Sequence, residues 1–351
     1  MNGDENMTIE LLKESLKDFT LPKPEKKPKE NYVNVLILRE LKSAARFTTD
    51  GFEANSATIR IGNIEETVGK LFGRKQVASD RRKAKALQRT LISEEMNKVM
   101  GKDGWNGCTM KVNEMCQRCP ECALFGSAAS EESVSITSRV MYDEAYTIRA
   151  LSAIVEEFFQ NAPGDDYTKK PTSGIREPDF FKEGVLFPCV VTLKDVTVEE
   201  VLFFLNITDR NSRYGATGTR FGKTQNHILG VYASHREGPS SLEVTREIAL
   251  KLAEKVKDED VMDKDSKDED VNKALDAKLK QVMYRDTLSV DEVKAIATAV
   301  YEELSEKQRI EYNTKFDEKA VSGILNELKD DSVVKSQLAQ QIENIKEFVS
   351  A

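Results

Sequence analysis

Four of the five cysteines, Cys108, Cys116, Cys119 and Cys122, fall within one run, CTMKVNEMCQRCPEC. Cys-x-x-Cys spacing lets tight turns aim several sulfurs at one ion. Four thiolates match a closed structural zinc site, with Zn–S bonds of about 2.3 Å and no position open for water. Two alternatives stand beside zinc. C-x₂-C-x₂-C also opens an iron–sulfur run, but that run needs a fourth Cys followed by Pro, where Gly126 and Ser127 stand here. The thiols can also stay reduced and metal-free in a reducing compartment. Cys189, inside LFPCVV, reads as a small buried hydrophobe.

YGATGTRFGKT, from Tyr214 to Thr224, ends like a nucleotide-binding loop. The phosphate loop G-x-x-x-x-G-K-[ST] needs a glycine five residues before Gly222, where Thr217 stands, and Gly218 leaves the turn one residue short. Such a loop must also open a helix, whereas QNHILGVYASH suits a strand. What remains is a glycine-rich cationic segment: Arg213, Tyr214, Gly215, Gly218, Arg220, Phe221, Gly222 and Lys223. It suits phosphates presented by a polymer, and a plain surface loop is the alternative.

Other catalytic candidates are few. There are two histidines, His227 and His235, and no G-x-S-x-G, H-E-x-x-H or Ser/His/Asp grouping. His227 follows the glycine segment, but a strand histidine with a satisfied hydrogen bond is the simpler reading. Arg74 to Arg89 carries seven cations and one Asp. On a helix Arg81, Lys85 and Arg89 form one row with Arg82 beside it, either a solvated face or an anion-binding one. KDEDVMDKDSKDED, 257 to 270, is calcium-like in composition only: counted from Asp263, position six is Asp268 where Gly is needed. It reads as an acidic linker.

The elements that must position these residues follow from periodicity. VNVLILRE and SATIRIG read as strands around the turn TTDG. From Ser79 the pattern is helical, with Ala84, Leu87 and Leu91 on one face. SVSITSRVMYDEAYTIRA and VLFPCVVTLKDV read as strands, and EEVLFFLNI as helix or strand. Between them FFQNAPGDDYTKKPTSGIREPDFFKEG is a long excursion of the kind that is functional or disordered. From Leu242 onward the chain reads as helical; SVDE at 289 to 292 is a capping box before the stripe Val293, Ile296, Val300 and Leu304. The first thirty residues hold a short amphipathic stretch and the extended linker LPKPEKKPKE.

The 351 residues suffice for a large core. No apolar run reaches the roughly 18 residues of a membrane helix, and the start, MNGDENMTIE, is acidic where a signal peptide is basic, so a cytoplasmic location is expected. The net charge of −8 lies wholly in residues 241 to 351, and residues 1 to 240 sum to zero. A nucleic-acid reading therefore survives the acidic composition.

NVLILRELKSAARFTTDG, the cysteine run ending in CPECALFG, SRVMYDEAYTIRA, QNAPGDDYTKKPTSG and RYGATGTRFGKTQNHIL together resemble the backbone subunit of type I-D CRISPR surveillance (Cascade) complexes. This is the seven-family of the RAMP superfamily in its type I-D branch. The resemblance covers about residues 30 to 240, in order; the helical tail carries no comparable motif. It implies an α+β fold: residues 1–30 a segment and linker, 31–240 a modified RRM-like (ferredoxin-like) palm, and 241–351 an acidic helical region. Inserted in the palm are a zinc-binding finger lobe, about 64–126, and a thumb, about 160–184. Palm strands are expected around 32–40, 57–62, 133–150, 185–193 and 226–233.

The resemblance further implies a guide-RNA-binding subunit, not an enzyme, that polymerises along a CRISPR RNA and shapes the guide–target duplex for antiviral defence. Its partners would be the guide, target DNA or RNA, further copies in a helical filament, and the large, small and five-family capping subunits. A subunit that accepts any guide must hold the backbone, so it needs cations, amides and aromatic surfaces. Arg39, Ser43, Arg46, Ser138 and Arg139 match positions that the family uses near the guide, alongside the glycine segment. Arg81, Arg82, Lys85, Arg89, Lys169 and Lys170 are further candidates for guide or target. The aromatic signature of a sequence-reading RNA-recognition motif is missing, which fits backbone binding. Some type III relatives cut RNA with an aspartate after the first strand, and Asp50 stands in a comparable place; otherwise it is a turn residue before Gly51. A metal-dependent single-strand endonuclease using Asp50, or a zinc-finger adaptor binding proteins through its tail, are the rival readings.

Overall fold

A computed structural model describes residues 8–48, 51–101, 104–112, 114–128, 135–156, 159–160, 175–176, 179–215, 218–257 and 271–349. In chain order its elements are α1 (Ile9–Ser15), a 3₁₀ turn (Lys17–Phe19), β1 (Tyr32–Leu41), β2 (Ser56–Ile61), β3 (Ile64–Leu71), α2 (Gly73–Leu91), α3 (Ser93–Met100) and α4 (Pro120–Phe125). Next come β4 (Val140–Tyr142), β5 (Ala145–Ala150), α5 (Leu151–Ile154), β6 (Val155–Glu156), β7 (Phe159–Gln160), β8 (Ile175–Arg176), β9 (Phe180–Phe181), β10 (Leu186–Lys194) and α6 (Val198–Arg210). The chain ends with β11 (Thr224–Ser234), α7 (Ser241–Glu254), α8 (Val271–Met283), α9 (Val290–Lys307), β12 (Thr314–Asp317), α10 (Glu318–Glu327) and α11 (Asp331–Val349).

β1 is apolar on both faces because both are covered. Val33, Val35 and Ile37 enter one core, and Leu36 and Leu38 the other. It lies at the centre of an antiparallel sheet ordered β12-β11-β1-β10-β4. The first core takes Ala84 and Leu87 of α2, Phe203 and Phe204 of α6, Ile324 of α10 and Leu338 of α11. The second takes Ile59, Val68 and Ile148 of a separate sheet, β2-β3-β5, together with Ile248, Leu279 and Val300 of α7, α8 and α9.

EEVLFFLNI resolves as helix α6, fixed by a capping box in which the Thr197 side chain accepts from Glu200 N–H and the Glu200 carboxylate from Thr197 N–H. The α9 stripe Val293, Ile296, Val300 and Leu304 is buried as expected, and Cys189 is fully buried.

Several expectations change. SATIRIG forms β2 but pairs with β3 in a separate sheet that β5 completes, away from the central sheet, and the strand expected over 133–150 divides, with β4 in one sheet and β5 in the other. The stretch read as a finger lobe begins with β3 and the long helix α2. Cys108, Cys119 and Cys122 share the first core with Val35 and Leu87, so the cysteine segment packs on the main core. The helical tail likewise closes both cores and adds edge strand β12. The excursion over 160–184 is rooted by two short ladders, β6 with β9 and β7 with β8; most of it lies outside the described residues.

Candidate nucleic-acid interface and metal centre

Two segments far apart in the chain meet beyond the end of β1. Lys42 N–H donates to Lys223 O at 2.8 Å, Gly222 N–H to Ala44 O at 2.8 Å, and Lys223 N–H to Ser43 Oγ at 3.0 Å. Arg213 and Lys223 form a β-bridge that closes the glycine segment. Lys42, paired with Glu40 at 2.7 Å, and Arg213, Arg220 and Lys223 are exposed and Arg46 is half-buried, so both segments contribute cations here. The Arg213 guanidinium donates to Phe221 O at 3.1 Å, and that of Arg220 lies 5.3 Å from the Phe221 ring, which packs on Phe180. Two of the glycines have structural reasons. Gly215 and Gly222 adopt φ of +96° and +77°, and a Cβ on either would fall on a backbone carbonyl, of Arg46 or Tyr214 respectively. Gly218 faces open space.

The base of this loop is a buried polar network. Asp80 Oδ1 accepts from Tyr214 OH and Asn211 Nδ2, each at 2.6 Å, and Oδ2 from Tyr142 OH at 2.7 Å. Arg39 lies 3.7 Å from Asp80 and donates to Tyr214 OH at 2.6 Å, Asn226 Oδ1 at 2.7 Å and Gln76 Oε1 at 3.2 Å. Burial works against the Arg39 charge, yet the groups packed around it, Asp80 among them, more than reverse this and raise its pKa. Burial pushes the Tyr142 and Tyr214 phenols well above their ordinary range, so both stay protonated and donate to Asp80. Arg39 and Tyr214 are 0% and 1% exposed. They hold the loop from beneath and have no surface to offer a ligand.

The basic row of α2 meets the cysteines. Arg81 donates to Glu121 and to Gly126 O, Lys85 to Glu121 and Cys108 Sγ, and Arg89 to Gly107 O and Cys108 O. Arg82, beside the row, is exposed. Ser138 and Arg139 are also engaged internally. Ser138 Oγ donates to Val140 O at 2.9 Å, and Arg139 grips both carboxylate oxygens of Glu200, the capping residue of α6. Asp50, Lys169 and Lys170 lie outside the described residues.

The Sγ atoms of Cys108, Cys116, Cys119 and Cys122 all lie within 4.8 Å of one another. Tetrahedral zinc with bonds of about 2.3 Å needs sulfurs about 3.8 Å apart. The Cys108–Cys122 separation of 3.5 Å is close to that and far beyond the roughly 2.05 Å of a disulfide. None of the four is in a disulfide. The set fits one tetrahedral ion.

A family model described as "Csc2 Crispr" matches residues 12–342. The chain belongs to the Csc2 CRISPR family. This is the family that the sequence resembles, and the Csc2 match extends through most of the helical region, which the motifs alone did not reach. No curated protein matches the sequence. The crystal structure of Thermofilum pendens Csc2 is similar at 18% identity and a TM-score of 0.59, covering 96% of this chain and 96% of that chain, which shows a shared fold. A chain of a CRISPR RNA-guided surveillance complex in a pre-nicking state is similar at 11% identity and a TM-score of 0.48, over 80% of this chain and 90% of that chain. Within this Csc2-family fold, the residues that motif reading missed are Lys42, Gln76, Asp80, Asn211 and Asn226. Gln76 and Asp80 did carry a signal, since they extend the apolar face of Ala84 and Leu87 and so had to be buried with partners.

Proposed function

We propose that this Csc2-family chain is a CRISPR RNA-binding backbone subunit of a type I-D Cascade complex, serving antiviral defence without catalysing a reaction. The observation that carries the proposal is the meeting of residues 42–46 with the glycine segment, to which the two segments contribute the cations Lys42, Arg46, Arg213, Arg220 and Lys223. Cations without base-edge readers suit the backbone of any guide. Strands β1, β4, β10 and β11 with helices α2 and α6 follow the βαββαβ order of a ferredoxin-like palm, sheet order β11-β1-β10-β4, which supports an RRM-like palm. Both faces of β1 are covered, so nucleic acid is left to the loops, in keeping with the missing aromatic signature.

In this reading the guide lies along the cationic loop, further copies of the chain continue along the same RNA, and target DNA and the other Cascade subunits join around them. Arg82, Lys169 and Lys170 are further backbone contacts in the proposal, whereas Arg39, Tyr214, Arg81, Lys85, Arg89, Ser138 and Arg139 act as supports. Cys108, Cys116, Cys119 and Cys122 hold a structural zinc ion, which cross-links the cysteine segment to the core. A cytoplasmic site of action belongs to the same reading, and no described helix is long and apolar enough to cross a membrane.

Purification from the native host with native mass spectrometry and an ultraviolet absorbance ratio tests the proposal. RNA of defined length in a multi-copy assembly is the expected result; an RNA-free monomer that ignores added guide would overturn it.

A further inference from the structure

Lys85 is an unusual place for a positive charge. Its side chain is 3% exposed, and its Nζ donates to Cys108 Sγ at 3.1 Å and stands 3.9 Å from Cys122 Sγ. Glu121, fully buried and placed in the chain between Cys119 and Cys122, accepts from Lys85 through Oε2 and from Arg81 through Oε1. Arg81 is itself fastened to Gly126 O at 2.7 Å, beyond the last cysteine.

Charge explains why such a group belongs here. Four thiolates around one divalent cation carry two net negative charges, and three of these cysteines are fully buried. A buried charge is tolerated only when it is paired and hydrogen-bonded. Glu121 alone would worsen the excess. Arg81 neutralises Glu121, which leaves the Lys85 charge, 3.1 Å from Cys108 Sγ, to face the sulfurs. An N–H···S bond also withdraws electron density from the thiolate, which makes it a weaker base and a poorer target for protons.

We infer that Lys85 is the counter-cation of the metal centre, held on Cys108 by the Glu121–Arg81 pair, and that it sets how tightly the four cysteines keep their ion. This rests on the reading that the cysteines bind a divalent metal. It reassigns the centre of the basic row of α2 from nucleic acid to the metal.

The test uses the full chain with Zn²⁺, and with Co²⁺ as a spectroscopic probe, comparing wild type, Lys85→Met and Lys85→Met/Glu121→Gln. The double variant removes both charges of the pair, so it does not leave Glu121 short of a partner. Both variants should still take up one ion per chain, but transfer zinc to a competing chelator with an affinity lower by about 10- to 100-fold. Their cobalt–thiolate charge-transfer bands should move to lower energy. The double variant should recover thermal stability lost by the single one, without recovering metal affinity. If the double variant keeps zinc as tightly as wild type and its cobalt bands do not move, Lys85 is merely the partner of Glu121 and the inference fails. Wild type that takes up neither ion would overturn the metal reading itself, and this inference with it.

Discussion

Asp80→Ala removes the acceptor on which the base of the glycine loop converges. Three donors, Tyr142 OH, Tyr214 OH and Asn211 Nδ2, lose their shared partner, and Arg39 keeps its buried charge without the carboxylate 3.7 Å away. Both members of the ion pair are fully buried. Breaking such a pair from one side costs about 3–5 kcal/mol, against a typical total stability of about 5–15 kcal/mol. Asp80→Asn keeps the shape and part of the accepting capacity, and should cost about 1.5–3 kcal/mol, the worth of hydrogen bonds to a charged group. Replacing both charges, in Arg39→Met/Asp80→Asn, should cost less than the sum of the single changes, because no orphan charge remains. Urea unfolding followed by circular dichroism measures these differences. Tryptic cleavage after Arg213, Arg220 and Lys223 reports the loop itself, and Asp80→Ala should be cut there faster than wild type. An Asp80→Ala loss under about 1 kcal/mol, or additive single changes, would refute the assignment of the network as the loop's foundation.

Further expectations concern the same elements. Gly222→Ala places a Cβ on the Tyr214 carbonyl in a left-handed conformation and should cost at least about 1–3 kcal/mol, whereas Gly218→Ala, facing open space, should stay within about 0.5 kcal/mol in the same unfolding assay. Burial pushes the Glu40 carboxyl up, but hydrogen bonds from Lys42 and His227 more than reverse this and hold its pKa below the ordinary value. Its contribution is therefore present above the unfolded carboxylate pKa of about 4.3 and is lost as the pH falls through the lower folded value. Thermal melts of Glu40→Gln should show that pH dependence flattened on the acidic side, and an unchanged profile would count against the pairing. Trp105, the single tryptophan, is half-buried beside the cysteine segment and packs against the first core. Stripping metal with a strong chelator should shift its fluorescence to the red and lower the melting temperature; unchanged emission would argue that the cysteines hold no structural ion.

What was legible in the sequence is what local pattern determines. The apolar runs of β1 and β10 and the capped stripe of α9 each state their role within a few residues, and the cysteine spacing announces the cluster that the fold gathers. β2 was legible as a strand but not as a member of its sheet, because the pairing of Ser56–Ile61 with Ile64–Leu71 is made by a hairpin that competes with the longer-range alternative. The cations were the least legible. Arg81, Lys85 and Arg89 have the spacing of an anion-binding row, and what they bind is decided by Glu121 and by carbonyls at Gly107, Cys108 and Gly126, which only the fold brings to them. Arg39 sits in the apolar run of β1 and its charge suggested a place near the guide; the partner that lets it be buried, Asp80, comes from another element.

Guide affinity as a function of salt tests the central claim most directly, measured for wild type and for Arg213→Gln/Arg220→Gln/Lys223→Gln on two RNAs of unrelated sequence. Each lost phosphate contact on a single strand lowers the slope of log K against log salt by about 0.7, so the triple variant should lose about 2 units of slope. From about 50 to about 200 mM salt the wild type should then lose roughly 20-fold more affinity than the variant, equally on both RNAs. An unchanged slope, or a loss confined to one of the two sequences, would contradict backbone recognition by this loop.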